Sequence, residues 1–132
     1  MTRRFGLISR LFARGSGYET LVERFGVDRE PPPYALRRQT VMMDRTVAYR
    51  RCATLASLPE GLYFRIDAPG LRAQPAAIIP WGQIATVEQA RLYRFPGVKL
   101  TIGTPRIASL TVYAGCCERL GPRLEGRVTS QQ

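Results

Sequence analysis

The sequence predicts a mainly β domain of α+β character: a seven-stranded antiparallel barrel or sandwich with an N-terminal helix and a short C-terminal helix. Three observations carry this. From Tyr34 onward, apolar residues recur at every second position in short runs, the period of a strand with one buried face. Turn-forming residues such as Pro59, Gly61, Pro96, Gly97, Gly103 and Pro105 cut those runs at close intervals. The chain has 132 residues, 45% of them hydrophobic, which is enough for the core of one domain without disulfides or metals.

Residues 1–14 mix Arg3, Arg4, Arg10 and Arg14 with Phe5, Leu7, Ile8, Leu11 and Phe12, a composition suited to lying on an anionic membrane surface or packing as an N-terminal arm. Arg4 interrupts the apolar face, and Arg10 breaks the run too early for a signal peptide, so the segment is read as retained. Ser16-Gly17-Tyr18-Glu19 then reads as a capping box, followed by Tyr18, Leu21, Val22 and Phe25 at helical spacing and Gly26 as the stop. That stripe is a core-facing surface. Pro31-Pro32-Pro33 ends any helix and predicts a stiff extended spacer leading away from it. Residues 1–33 thus form a basic segment, helix and connector, ahead of a β domain over 34–124 and a polar tail, expected to be disordered, over 125–132.

Leu36 to Met43 predicts the first strand, and Met43-Asp44-Arg45 a tight turn into a second from Thr46 to about Ala56. In the third, Leu62, Phe64 and Ile66 alternate with Tyr63, Arg65 and Asp67, which predicts one buried and one solvated face. A loop containing Pro69-Gly70 leads to the short apolar run Ala76 to Ile79, stopped by Pro80, and Trp81 to Ile84 reads as a corner. A long strand from Ala85 to Phe95 turns at Pro96-Gly97 into Val98 to Ile102. Gly103-Thr104-Pro105 turns again into Arg106 to Tyr113, and a helix from Ala114 to about Leu120 lines up Cys117, Leu120 and then Leu124 before Gly121-Pro122 breaks it.

The composition narrows function by exclusion. There is no histidine, which removes the commonest general base and metal ligand. The ten acids are scattered, with no candidate catalytic pair, and neither glycine-rich phosphate-binding motif occurs. Cys52, Cys116 and Cys117 lack zinc-site spacing and fit free thiols in a reducing cytosol, although a thiolate beside Arg119 at a helix start is a conceivable reactive group. No enzyme activity, metal, cofactor or small-molecule substrate is therefore expected. The net charge of +10, from 19 Arg and one Lys, points to anionic partners without identifying them. Its densest groups are Arg3-Arg4, Arg37-Arg38 and Arg50-Arg51. Arg91-Leu92-Tyr93-Arg94-Phe95 and Tyr49-Arg50-Arg51 interleave cations with aromatics, as single-stranded nucleic-acid binders do and as ordinary amphipathic strands also do.

Gly61-Leu62-Tyr63-Phe64, followed after a loop by Ile78-Ile79-Pro80-Trp81-Gly82-Gln83-Ile84, resembles the strand and corner of bacterial, GRAM-like members of the pleckstrin-homology-like superfold. The resemblance implies that Gly61, Leu62, Phe64, Pro80, Trp81 and Ile84 are structural. It also implies anion or lipid-headgroup contact from Arg37, Arg38, Arg45, Arg50 and Arg51, on the first two strands and their turn. The lysine usual at such a site is absent, and the second strand has no Arg-x-Arg. The expectation is a cytoplasmic, non-catalytic binding or scaffolding module, peripheral to the inner membrane surface or bound to a protein partner. The alternative is an Arg-rich nucleic-acid-binding domain, and self-association stays open.

Overall fold

The computed structural model describes residues 17–44, 47–67 and 75–127, and its framework is one eight-stranded antiparallel sheet with three short helices. Helix α1 spans Tyr18–Phe25 and leads into β1 (Gly26–Val27). Then come β2 (Leu36–Met43), β3 (Val47–Ser57), β4 (Gly61–Ile66) and β5 (Ala76–Pro80). A single 3-10 turn, Trp81–Gln83, precedes β6 (Ile84–Leu92), β7 (Phe95–Ile102) and β8 (Ala108–Tyr113), and the chain continues into α2 (Ala114–Leu120) and α3 (Pro122–Glu125). Residues 1–14, Ser16 of the expected capping box, Arg45 and the Pro69-Gly70 loop lie outside the described residues.

The strand order is β1-β5-β4-β3-β2-β8-β7-β6, so β2–β5 and β6–β8 form two antiparallel meanders joined where β2 pairs with β8, Val41 opposite Val112. This corrects the seven-stranded barrel to eight strands in an open sheet. The eighth is β1, a two-residue strand too short to show a period of two, which pairs Gly26 and Val27 with Ala77 and Ala76. It takes the first part of the outer edge of β5. Residues from both halves of the sheet nevertheless share one core, with Leu62, Phe64 and Ile79 in the same cluster as Ile84, Leu100 and Ile102. The sheet therefore coils around its own inner face.

Helix α1 packs on β5 and β8, and its stripe enters that core as the spacing predicts: Tyr18 and Leu21 are buried, with Val22 and Phe25 packed beside them. Gly17 holds the N-cap position with φ 93°, and a Cβ there would collide with Asp44 Oδ2. Among the described residues no side chain caps this helix.

Two readings of the middle of the chain need correction. Tyr63, placed on a solvated face by alternation, is fully buried, because a second apolar cluster of Ala56, Leu58, Tyr63, Ala76 and Ile78 covers the other side of β3–β5. Val27 and Ala35 pack against it, and Tyr63 Oη donates to the Arg29 carbonyl at 2.5 Å. The connector thus lies across the outer face of β3–β5. The β6–β7 turn is at Tyr93-Arg94, with φ 62° and 131°, not at Pro96-Gly97. In a two-residue hairpin the flanking pair, Leu92 and Phe95, exchanges the ladder hydrogen bonds, so the next pair does not. Pro96 sits in that next pair, and β8 has already ended opposite Gly97, so its missing N–H costs the ladder nothing. Gly97 serves close packing, since a Cβ there would lie 2.7 Å from the Val112 carbonyl oxygen.

The corner after β5 is tied down from several sides. Half-buried Trp81 donates Nε1–H to the Leu58 carbonyl at 2.9 Å, and the Arg123 guanidinium lies 5.6 Å over its ring. Leu62, Phe64 and Ile84 are buried, and Gly61 lies so close to the Ile79 carbonyl that a Cβ could not fit. Cys117, Leu120 and Leu124 face the core together, and Arg127, within the segment read as a tail, donates to the Ile84 carbonyl at 2.5 Å.

Candidate functional site

The β2–β3 pair explains why consecutive arginines stay in water. A regular strand would turn one of each pair inward. Between Leu36 and Gln39 the partner strand advances only from Leu55 to Ala53, so β2 carries an extra residue there; between Gln39 and Val41 it advances from Ala53 to Tyr49, and the excess lies in β3. Arg38 (φ 56°) and Arg51 (φ 54°) take the left-handed backbone of these two irregularities, and Arg37, Arg38, Arg50 and Arg51 are all exposed. Thr40 Oγ1 accepts the Arg51 amide at 3.0 Å, and Gln39 Nε2 donates to the Arg37 carbonyl at 2.9 Å.

This arrangement divides the five arginines proposed from sequence. Arg45 lies outside the described residues, and Arg38 lies near the start of β2, on the order of 20 Å of strand from Asp44 at its other end. The turn end has its own fixed pairing: Asp44 Oδ1 accepts the Ser109 amide at 2.9 Å and Arg106 Nη2 at 2.8 Å. Arg37, Arg38, Arg50 and Arg51 lie on β2 and β3 at the irregular stretch of that pair.

What meets Arg50 instead is the β6–β7 turn. Arg50 Nε donates to Tyr93 Oη at 3.1 Å, and its guanidinium carbon lies 5.0 Å from the centre of the Tyr93 ring. That hydrogen bond, with the Tyr93 and Tyr113 hydroxyls nearby, holds the Arg50 pKa above its ordinary value. Phe95 packs edge-on against Tyr113, ring centres 6.2 Å apart. Arg91 Nη1 donates to the Arg94 carbonyl at 2.8 Å across the turn. Among the described residues the ion pairs engage Arg29, Arg65 and Arg106, and none engages Arg37, Arg38, Arg50, Arg51, Arg91 or Arg94.

The candidate site is therefore a basic aromatic surface built from Arg50, Arg51, Arg91, Arg94, Tyr93, Phe95 and Tyr113. The interleaving of Arg91 to Phe95 was legible as a basic aromatic run, but its junction with Arg50 and the part of Tyr113 were not. A cleft of about 280 Å³ opens beside it, between Glu88–Arg91 on one strand and Met42, Lys99 and Thr111 on others. Guanidinium groups without carboxylate partners can bind phosphate oxygens bidentately, and exposed aromatic edges beside them supply apolar contact.

Other chemistry is poorly served. Among the described residues no group of three His, Cys, Asp or Glu side chains could hold a metal ion, and no helix is long and apolar enough to cross a membrane. Burial pushes the Cys116 thiol up to about 12, with Cys117 adding to the effect and Arg119 too weak to offset it, so Cys116 is not poised as a reactive thiolate near neutral pH. No protein-family model matches the chain, and no curated protein shows significant similarity to it.

Proposed function

We propose that this chain is a non-catalytic binding module of pleckstrin-homology-like architecture that docks on an anionic membrane surface. The observation that carries the reading is a set of exposed arginines, Arg50 and Arg51 on β3 and Arg91 and Arg94 at the β6–β7 turn that Arg50 reaches, for which no ion pair occurs among the described residues. Two meanders, β2–β5 and β6–β8, joined at β2–β8 and accompanied by a helix on the core, support the architecture. An arginine near an anionic leaflet contributes about 1 kcal/mol, so four acting together suffice for reversible adsorption.

Sedimentation with phosphatidylcholine vesicles, with and without phosphatidylglycerol, tests this. Binding confined to the anionic vesicles and weakened by salt is the expected result; equal failure with both would refute it. The second reading, a nucleic-acid-binding domain, draws on the cation and aromatic alternation of Arg91 to Phe95. Tight, salt-sensitive oligonucleotide binding without vesicle binding would favour it instead.

A further inference from the structure

We infer that the β6–β7 turn is a membrane wedge: Tyr93 and Phe95 enter the interface of an anionic bilayer while Arg50, Arg91 and Arg94 remain at the phosphates. The inference rests on the membrane reading above and adds a mode of contact that charge alone does not supply.

Three observations lead to it. Of the three large apolar side chains exposed among the described residues, two belong to this turn, Tyr93 at 40% and Phe95 at 62% exposure. Surface aromatics scattered singly need no explanation, but two on one tight turn, ringed by cations, make an amphipathic tip. Next, the backbone holds Tyr93 and Arg94 at positive φ, a conformation that glycine and asparagine adopt readily and that costs bulky residues energy. Retaining Tyr and Arg at the two positions where Asn-Gly would relieve the turn ties these side chains to a task. Last, Arg50 on β3 braces Tyr93 from the neighbouring half of the sheet, so the aromatic tip is held in place before any partner arrives.

The same geometry favours lipid over nucleic acid. A base stacks on an open ring face in a basic groove. Here one face of Tyr93 is covered by the Arg50 guanidinium, and Phe95 is engaged edge-on by Tyr113, at the end of a hairpin and not within a groove. Exposed ring edges next to guanidinium groups fit the boundary between headgroups and acyl chains, where aromatic residues concentrate.

The test uses the full chain and phosphatidylcholine vesicles containing phosphatidylglycerol. Phe95→Ala is expected to lower the partition coefficient about tenfold, the effect of removing a largely exposed phenyl from an apolar phase, and the loss persists at raised salt. Arg94→Ala is expected to lower it about fivefold at low salt only. As a second readout, a Phe95→Trp chain bound to vesicles of brominated lipid loses fluorescence beyond the quenching of the wild-type chain, whose single tryptophan is Trp81. If Phe95→Ala and Tyr93→Ala bind as wild type while Arg94→Ala weakens, adsorption is electrostatic and the wedge is wrong although the membrane reading stands. If the wild-type chain ignores anionic vesicles, both fall, and the same holds if Phe95→Ala weakens only oligonucleotide binding. Unchanged circular dichroism of each variant assigns the losses to the tip.

Discussion

Tyr18 on α1 donates its hydroxyl hydrogen to the Pro75 carbonyl at 2.6 Å, and the same oxygen accepts the Ile66 amide at 3.2 Å. One phenol thus joins the helix to the ends of both β4 and β5, while its ring meets Phe64 edge-on at 5.5 Å. Tyr18→Phe keeps the ring and leaves a buried carbonyl and a buried amide without this partner. The expected loss is about 2–4 kcal/mol in chemical denaturation. A loss below about 0.5 kcal/mol would show that water replaces the hydroxyl.

Alkaline pH should weaken the fold through two buried groups. The Cys116 thiol is raised from 9.0 to about 12, and the Tyr18 hydroxyl is also raised, in both cases chiefly by burial. Because both folded values lie above the unfolded ones, stability is complete below about pH 9 and falls as pH rises toward 12, at up to about 1.4 kcal/mol per pH unit for each group. Denaturant midpoints at about pH 8 and about pH 10.5 measure the slope, and Cys116→Ala should flatten it while lowering stability at both. Parallel slopes for the two chains would sink the assignment.

Gly61→Ala should be among the most damaging small substitutions. Its new Cβ would be driven into the Ile79 carbonyl, in the β4–β5 pairing that sets up the Trp81 corner. A loss of about 2 kcal/mol or more is expected by thermal melting, against no loss, and a gain of up to about 1 kcal/mol, for Gly115→Ala, exposed in a helix where nothing lies within 4 Å of the new Cβ.

The β6–β7 turn should gain stability at the expense of binding. Arg94 has φ 131°, so Arg94→Gly relieves the backbone by about 1 kcal/mol while removing a cation from the proposed surface. The expected pattern is a higher melting temperature with weaker adsorption to anionic vesicles. A melting temperature equal to or below that of the wild-type chain would contradict the strain argument.

What could be read from the residues alone follows how far each feature depends on distant parts of the chain. Strands β2, β3, β4 and β8, helix α2 and the Trp81 corner were legible because period, proline and glycine are local properties. Strand β1 was not, since Gly26 and Val27 become a strand only when Ala76 and Ala77 lie beside them. The burial of Tyr63 depends likewise on a connector that returns over the sheet. The β6–β7 turn was displaced because Pro96-Gly97 looks like a turn, whereas Tyr93-Arg94 has no residue that prefers positive φ. At the candidate surface, sequence picked out Arg50, Arg51 and the run from Arg91 to Phe95, but only the coiling of the sheet brings Arg50 to Tyr93.

The pairing of β2 with β8 bears on how the chain reaches this state. Asp44 and Ser109, 65 residues apart, meet at that seam, and no hairpin of either meander brings them together. The seam must form after a long loop has closed, with its entropy already lost, so folding in the millisecond-to-second range typical of non-local β topologies is expected. Until then the facing edges of β2 and β8 stand open, and the half-folded chain, more than the finished one, is the species prone to pair with another copy.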